Sequence, residues 1–365
     1  MPVCIWDLEG PISVRDFAAE IAKLLSKKPE LKLTNYDMGE FFFMISNYDD
    51  YLIDTPGVKE KLKIPNYQPG DTLRIMAPLY VASFSDDELK AIARQNLGLL
   101  PGCKKLMSIL HKKWDIFVIS TSYTQFALNV TSDLNIPRDH VYCTDFNIKK
   151  LKKDLKNIEN EVNILVKKIF QKYLDNNRDL NSVIENLNNF FWKGKESDYV
   201  KIMNQIQVRG GKRKELAVEN ISRKSKVPIS EMIALGDSIT DINMLQRLKD
   251  EGGTAISFNG NRFSTEHANL VVITPNNLGV LPIFESSDIQ QFLGKWESEF
   301  KSFEDNPKKI KDGLISNQCR TYFIKYKFIP EIFSLANKSK EELNEIISRQ
   351  KKMRKLVRGW AGTLG

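Results

Sequence analysis

Short apolar runs that stop abruptly at polar residues recur along this chain, separated by stretches of helical spacing. That alternation constrains the fold more than any other feature. Pro2–Trp6 runs into Asp7 and then Gly10-Pro11, the pattern of a buried strand breaking into a turn. Asp115–Ile119 ends in Ser120-Thr121 and Met232–Leu235 ends in Gly236-Asp237; Val141–Thr144, Ala255–Phe258 and Leu270–Ile273 read as further strands. Helical spacing fills the intervals, as in 13–27, where Phe17, Ile21, Leu24 and Leu25 share one side, and in 101–113, 124–134, 212–226 and 241–248. Ser85-Asp86-Asp87-Glu88 is a helix start, with a capping hydroxyl and acids at the positive helix end. Strands alternating with helices imply an α/β chain with a parallel sheet, whose working edge lies at the strand carboxyl ends.

At 365 residues the chain has room for two or three units. Residues 13–97 read as mostly helical. Residues 147–207 are rich in Lys, Asn and Glu, with Ile158, Val162, Leu165, Ile169 and Phe170 at helical spacing. They predict one long helix or a helical hairpin, either packed on the main body or serving as a second cap or interaction arm. From about 285 the pattern is helical to the end, and the basic run Arg349–Lys355 reads as a solvated helix terminus, where cations are favoured. The formal charge of +8 and pI near 9.0 raise the odds of an anionic partner, but a solvated Lys-rich surface is the simpler reading of them. Four cysteines (Cys4, Cys103, Cys143, Cys319) form no C-x-x-C pair, which points to free thiols in a reducing compartment. Three separated histidines argue against a His-based metal site or a Ser-His-Asp triad. No signal peptide is evident, and the cluster Phe41–Ile45 is far too short to span a bilayer, so a cytoplasmic protein without a membrane partner is expected.

Three of the strands deliver chemistry to one edge if the sheet is parallel: Asp7 and Glu9 after the first, Ser120 and Thr121 after the second, Asp237 and Asp241 after the fourth. Lys212 or Lys214 opens the helix before that fourth strand. Carboxylates gathered this way repel one another unless a cation intervenes. Mg²⁺ prefers oxygen ligands and accepts a phosphate oxygen in its shell. With the metal in place a carboxylate is a competent nucleophile, a hydroxyl and an ammonium hold the phosphoryl oxygens, and a second acid moves the protons. Each piece alone is a common turn or cap. The order and spacing carry the signal.

These residues resemble the motifs of haloacid dehalogenase-type phosphatases, over roughly residues 1–12, 100–146 and 205–285. Asp7-Leu8-Glu9-Gly10 is similar to the first motif, Ser120 to the second, Lys214 to the third and Gly236–Asp241 to the fourth; the phosphoserine phosphatase-like branch is nearest. The uninterrupted match from Lys214 to Asp237 favours Lys214 over Lys212. The Asp-x-Glu-Gly-Pro start also resembles archaeal proteins of this type linked to an energy-converting hydrogenase. The resemblance implies a Rossmann-like three-layer parallel sheet with a helical cap and extra helical insertions. The core would comprise 1–12, 98–146 and 208–285, the cap 13–97, the insertion 147–207 and a helical C-terminal extension 286–365. It implies Mg²⁺ as cofactor, bound by Asp7, Glu9 and Asp237, with Asp7 as nucleophile and Glu9 as acid and base. Ser120, Thr121 and Lys214 would bind phosphate, and Asp241 would orient Lys214 or a metal-bound water. Arg15, Glu20 and Arg74 in the cap are candidate contacts for a small phosphorylated substrate.

Glu9 stands where the family has Asp, as in a phosphoserine:homoserine phosphotransferase branch. That leaves hydrolysis and transfer to an alcohol acceptor both open. A different class of function is a catalytically idle assembly subunit, docking a protein partner through the insertion or the C-terminal helices. Retention of all four motifs argues against it. Nucleic-acid binding is not expected, since the basic tail lacks interleaved aromatics.

Overall fold

The computed structural model describes residues 1–194 and 197–363. Its centre is a seven-stranded sheet in the order β3-β2-β1-β4-β5-β6-β7. The strands are β1 (Val3–Trp6), β2 (Asp115–Tyr123), β3 (Val141–Thr144), β4 (Ile233–Gly236), β5 (Thr254–Phe258), β6 (Leu270–Ile273) and β7 (Glu331–Ser334). The first six run parallel, in register Trp6↔Val118 and Trp6↔Leu235 across the middle. The expected strands are thus all present and parallel, as short, wholly apolar runs buried on both faces require.

Both faces are covered because side chains alternate along a strand. Cys4 and Trp6 of β1 pack into one core with Val118, Leu235 and Ile256. Val3 and Ile5 pack into a second, with Phe117, Ile119, Ala234 and Ala255. Helices on each side complete three layers, the expected architecture. Ser85 caps helix Asp86–Gln95 in a reciprocal capping box with Glu88, as its sequence signalled.

Two helical expectations need revision. The region beyond 285 is not helical throughout: Glu331–Ser334 forms β7, antiparallel to β6, in register Val271↔Phe333. Its alternation is only four residues long, between helices, and an edge strand of that length leaves little periodicity to read. Residues 147–207 are helical but not one long helix: an unbroken helical stretch over 159–175, π-helical at its centre, is accompanied by shorter helices such as Ile148–Leu151, Ile184–Asn188 and Asp198–Gln205. They pack on the segment before the second strand. The Tyr48 hydroxyl donates to Asn188 Oδ1 (2.6 Å), Trp192 Nε1 donates to Tyr48 (2.8 Å), and Tyr199 donates to the Ile75 carbonyl (2.7 Å). The insertion therefore thickens the helical layer that overhangs the strand ends. All four cysteines are free, and among the described residues no helix is long and apolar enough to cross a membrane.

Candidate active site

The chain runs β1, β2, β3 outward on one side and then returns to lay β4 on the other side of β1. The reversal makes the β1–β4 boundary a topological switch point, with a crevice beyond the strand carboxyl ends. Asp7 and Asp237 are the first residues past those two strands, and the Asp7 amide donates to the Leu235 carbonyl at 2.9 Å. Gly10 permits the close approach. Its φ is +126°, and a Cβ there would lie 2.1 Å from Asp237 Oδ2. A Gly10→Ala protein should lose about 1–3 kcal/mol from backbone strain alone, measured as a lowered urea midpoint. An unchanged midpoint would show that the loop has room the structure denies it.

Lys214 sits in the first turn of helix Lys212–Ser225 and is fully buried. Its Nζ donates to Asp7 Oδ1 (2.7 Å) and to Asp241 Oδ1 (2.6 Å). Burial works against its charge, but Asp241 and Asp7 outweigh that and raise its pKa. Asp241 turns its other oxygen to the amides of Asp237 (2.9 Å) and Ser238 (3.1 Å), so it holds both Lys214 and the loop that carries Asp237. Lys212, by contrast, is exposed.

Carboxylate oxygens of Asp7, Asp237 and Asp241 can all lie within 4.8 Å of one another, a spacing able to hold a metal ion. Asp241 is already committed to donors on both oxygens, which leaves Asp7 and Asp237 as the better ligands. Asp237 Oδ2 is paired with Arg354 and Arg358, while its Oδ1 is buried without a hydrogen-bond partner. Such an oxygen carries an unrecovered desolvation cost unless a cation meets it, so the residues fit a divalent ion. Burial, reinforced by Asp241 and Asp237 and opposed by Lys214, pushes Asp7 up to about 7.

Glu9 Oε1 accepts from the Phe17 amide (2.8 Å) and from the Ser122 hydroxyl (3.0 Å). Burial and the neighbouring Asp16 push its carboxyl up to about 8, against the Phe17 amide and Arg358, which lower it. Ser120 is fully buried, and its oxygen accepts from the Ser122 amide at 3.0 Å. Thr121, one residue on, lines the cavity together with Asp7, Glu9, Asp237, Arg354 and Arg358. Helix Met38–Asp54 closes it from above with Phe42, Ser46, Asp49 and Asp50. The space left for small molecules there is about 80 Å³. The motif residues Asp7, Glu9, Thr121, Lys214, Asp237 and Asp241 thus converge at one place.

The three candidate substrate contacts do not line that cavity. Arg15 pairs with Glu20 and lies 5.3 Å from the Phe126 ring centroid. Arg74 pairs with Asp71 and Asn204. Each basic side chain is engaged by an acid or amide away from that cavity, which a linear reading cannot see.

The reading of Arg349–Lys355 as a solvated helix end holds for Lys351, Lys352 and Lys355 but is overturned at Arg354. Arg354 is 3% exposed and reaches Asp237. Gln350, Arg354 and Arg358 lie four residues apart, so helix Lys340–Arg358 presents all three along one face. That spacing was the available signal, hidden by the flanking Lys351, Lys352 and Lys355. Ser122 was also missed; it lies in the stretch between Ile119 and Tyr123 where the register of β2 against β3 shifts, so simple strand alternation does not place it.

A family model described as haloacid dehalogenase-like hydrolase matches residues 86–284. Among solved structures, a gene product of Archaeoglobus fulgidus is similar over 100% of this chain and 99% of its own, at 23% identity and a TM-score of 0.69, which speaks for a shared fold. A phosphoserine phosphatase in a phospho-aspartyl intermediate analogue form aligns over 77% of this chain and 97% of its own, at 12% identity and a TM-score of 0.46. No curated protein matches the sequence significantly.

Proposed function

Since the chain belongs to the haloacid dehalogenase-like hydrolase family, we propose that it is a Mg²⁺-dependent phosphatase of a small phosphorylated metabolite, working through a phosphorylated Asp7. The observation that carries this reading is the pairing of Asp7 and Asp237 across the switch point, with Asp237 Oδ1 buried and unpartnered. Asp7, Asp237 and the main-chain carbonyl of Glu9 would hold the ion. Bound there, Mg²⁺ neutralises phosphoryl oxygens and orients the phosphate.

The chain's own groups do the rest. Asp7 attacks phosphorus, forming an Asp7 Oδ–P bond as the ester P–O bond breaks. Lys214 and the hydroxyls of Thr121 and Ser120 take the charge spread over the phosphoryl oxygens; Ser120 accepts from Ser122 and keeps its own O–H to donate. Glu9, with a pKa near 8, is protonated at neutral pH and gives its proton to the departing alkoxide. Now a carboxylate, Glu9 takes a proton from water as that water attacks phosphorus. Asp7 leaves as a carboxylate, and inorganic phosphate is freed.

A cavity of about 80 Å³ has room for several waters. It suits a phosphate group, with helix Met38–Asp54 lining the space opposite the strand ends. Transfer of the phosphoryl group to an alcohol is the second reading, favoured by the extra methylene of Glu9, which bears on how water is activated. Measuring released phosphate against phosphorylated acceptor separates the two.

The test is a phosphomonoester screen with Mg²⁺ present and then chelated. Metal stabilisation of several kcal/mol corresponds to a loss of at least ~10²-fold on chelation, restored by added Mg²⁺. Turnover that persists in chelator would sink the proposal.

A further inference from the structure

Helix Lys340–Arg358 lies outside the segment matched by the family model, yet it drives two guanidinium groups onto the carboxylate of Asp237. We propose that Arg354 and Arg358 are positioning residues for the metal site: they clamp Asp237 Oδ2 so that Oδ1 alone faces the cation. This rests on the reading of Asp237 as a Mg²⁺ ligand.

The helix is built into the site by more than these two bonds. Gln350 is fully buried one turn before Arg354. Its Oε1 accepts from the Gly260 amide (2.7 Å) and the Ser257 hydroxyl (3.1 Å), and its Nε2 donates to Thr265 (2.7 Å). Those partners belong to β5 and the turn and helix after it, so the helix is pinned to the sheet edge beside β4. Arg354 Nη1 also donates to the Asp237 carbonyl (3.1 Å), and its Nε donates to the Gly362 carbonyl (3.2 Å). Arg358 spans the site entrance. Its Nη1 meets Asp237 Oδ2 at 2.9 Å, while Nε and Nη2 donate to the carbonyls of Val14 and Arg15, each at 3.3 Å. One side chain thus ties the loop after β1 to the loop after β4, the two segments that must meet around the ion.

A rigid planar fork with fixed donors suits this task, and a flexible ammonium does not. With Oδ2 held by two charge-assisted bonds, Asp237 cannot swing to chelate through both oxygens. The unpartnered Oδ1 is what remains for the cation. A metal ligand oriented in this way by outer hydrogen bonds generally binds more tightly than one left to find its own geometry.

The decisive measurement is calorimetric titration of the full chain with MgCl₂, on wild type, Arg354→Gln, Arg358→Gln and Arg358→Lys, each first checked for folding by thermal melting. Loss of either clamp should weaken Mg²⁺ binding by about 10- to 100-fold, the range seen when outer partners of metal ligands are removed. Arg358→Lys should recover part of the loss. Should Arg354→Gln fail to fold, the two Arg358 variants decide alone. Equal Mg²⁺ affinity in wild type and folded variants would overturn the clamp while leaving the metal site standing. Tighter binding in the variants would also overturn it, because the arginines would then be competitors that must leave before the ion enters. A folded wild type that binds no Mg²⁺ would remove the metal site itself, and the clamp with it.

Discussion

Asp7→Asn protein should fold normally and lose at least ~10³-fold in phosphatase turnover, the scale on which removal of a nucleophile acts. Asn keeps the shape and can still accept from Lys214, which donates to Asp7 Oδ1 at 2.7 Å, but its amide cannot take up a phosphoryl group. The same substitution has an opposite effect on stability. In the metal-free fold Asp7 is raised to about 7 from an ordinary value near 3.8. The folded state therefore holds a proton that the unfolded chain gives up, and stability falls as pH rises through that interval. An Asn has no proton to give up. The variant should match or exceed wild type in urea midpoint at pH 7 and show a flatter stability profile between pH 4 and 7, with chelator present throughout. Retained turnover would place the nucleophile elsewhere. A variant that melts early would mean that activity was lost through unfolding instead.

Lys214→Met should produce the largest loss of stability of any single change at this site, about 3–5 kcal/mol, the usual result of stripping one partner from a buried ion pair. Lys214 is 0% exposed and is the ammonium between Asp7 and Asp241. Met fills much of the volume but leaves two carboxylates facing each other in a dry site. Combining it with Asp7→Asn removes one of those charges, so the double variant should lose clearly less than the sum of the single losses. Urea denaturation at pH 7 across the four proteins measures this. A single-variant loss below about 1 kcal/mol, the scale of an exposed pair, would mean that water reaches the cluster and the site is not the closed one described above.

Much of the fold is legible in the sequence for a definite reason. Residues such as Val3–Trp6 and Ile233–Gly236 are buried on both faces of a parallel sheet, so apolar character runs without interruption and then ends at the edge where chemistry begins. Asp7, Glu9, Asp237 and Asp241 stand at those ends or within a few residues of them, while Lys214 opens the helix before β4. Their spacing to the strands is local, and local relations survive in a linear string. The strand Glu331–Ser334 is different, because its four residues carry too short a pattern to separate from the helices around it. Arg15 and Arg74 were plausible substrate contacts only while their partners Glu20 and Asp71 were unknown.

The sequence by itself determined the six parallel strands and the acidic residues that follow β1 and β4 at the switch point, since strand-end chemistry depends on neighbours a few positions away. Only the tertiary structure decided that Gln350, Arg354 and Arg358 belong to the same site. Arg354 is a single basic residue in a basic run, and its burial against Asp237, 117 positions earlier, follows from where the sheet edge and a distant helix meet. A charge in a helix is ordinarily solvated, and nothing in its immediate sequence distinguishes the one that is not.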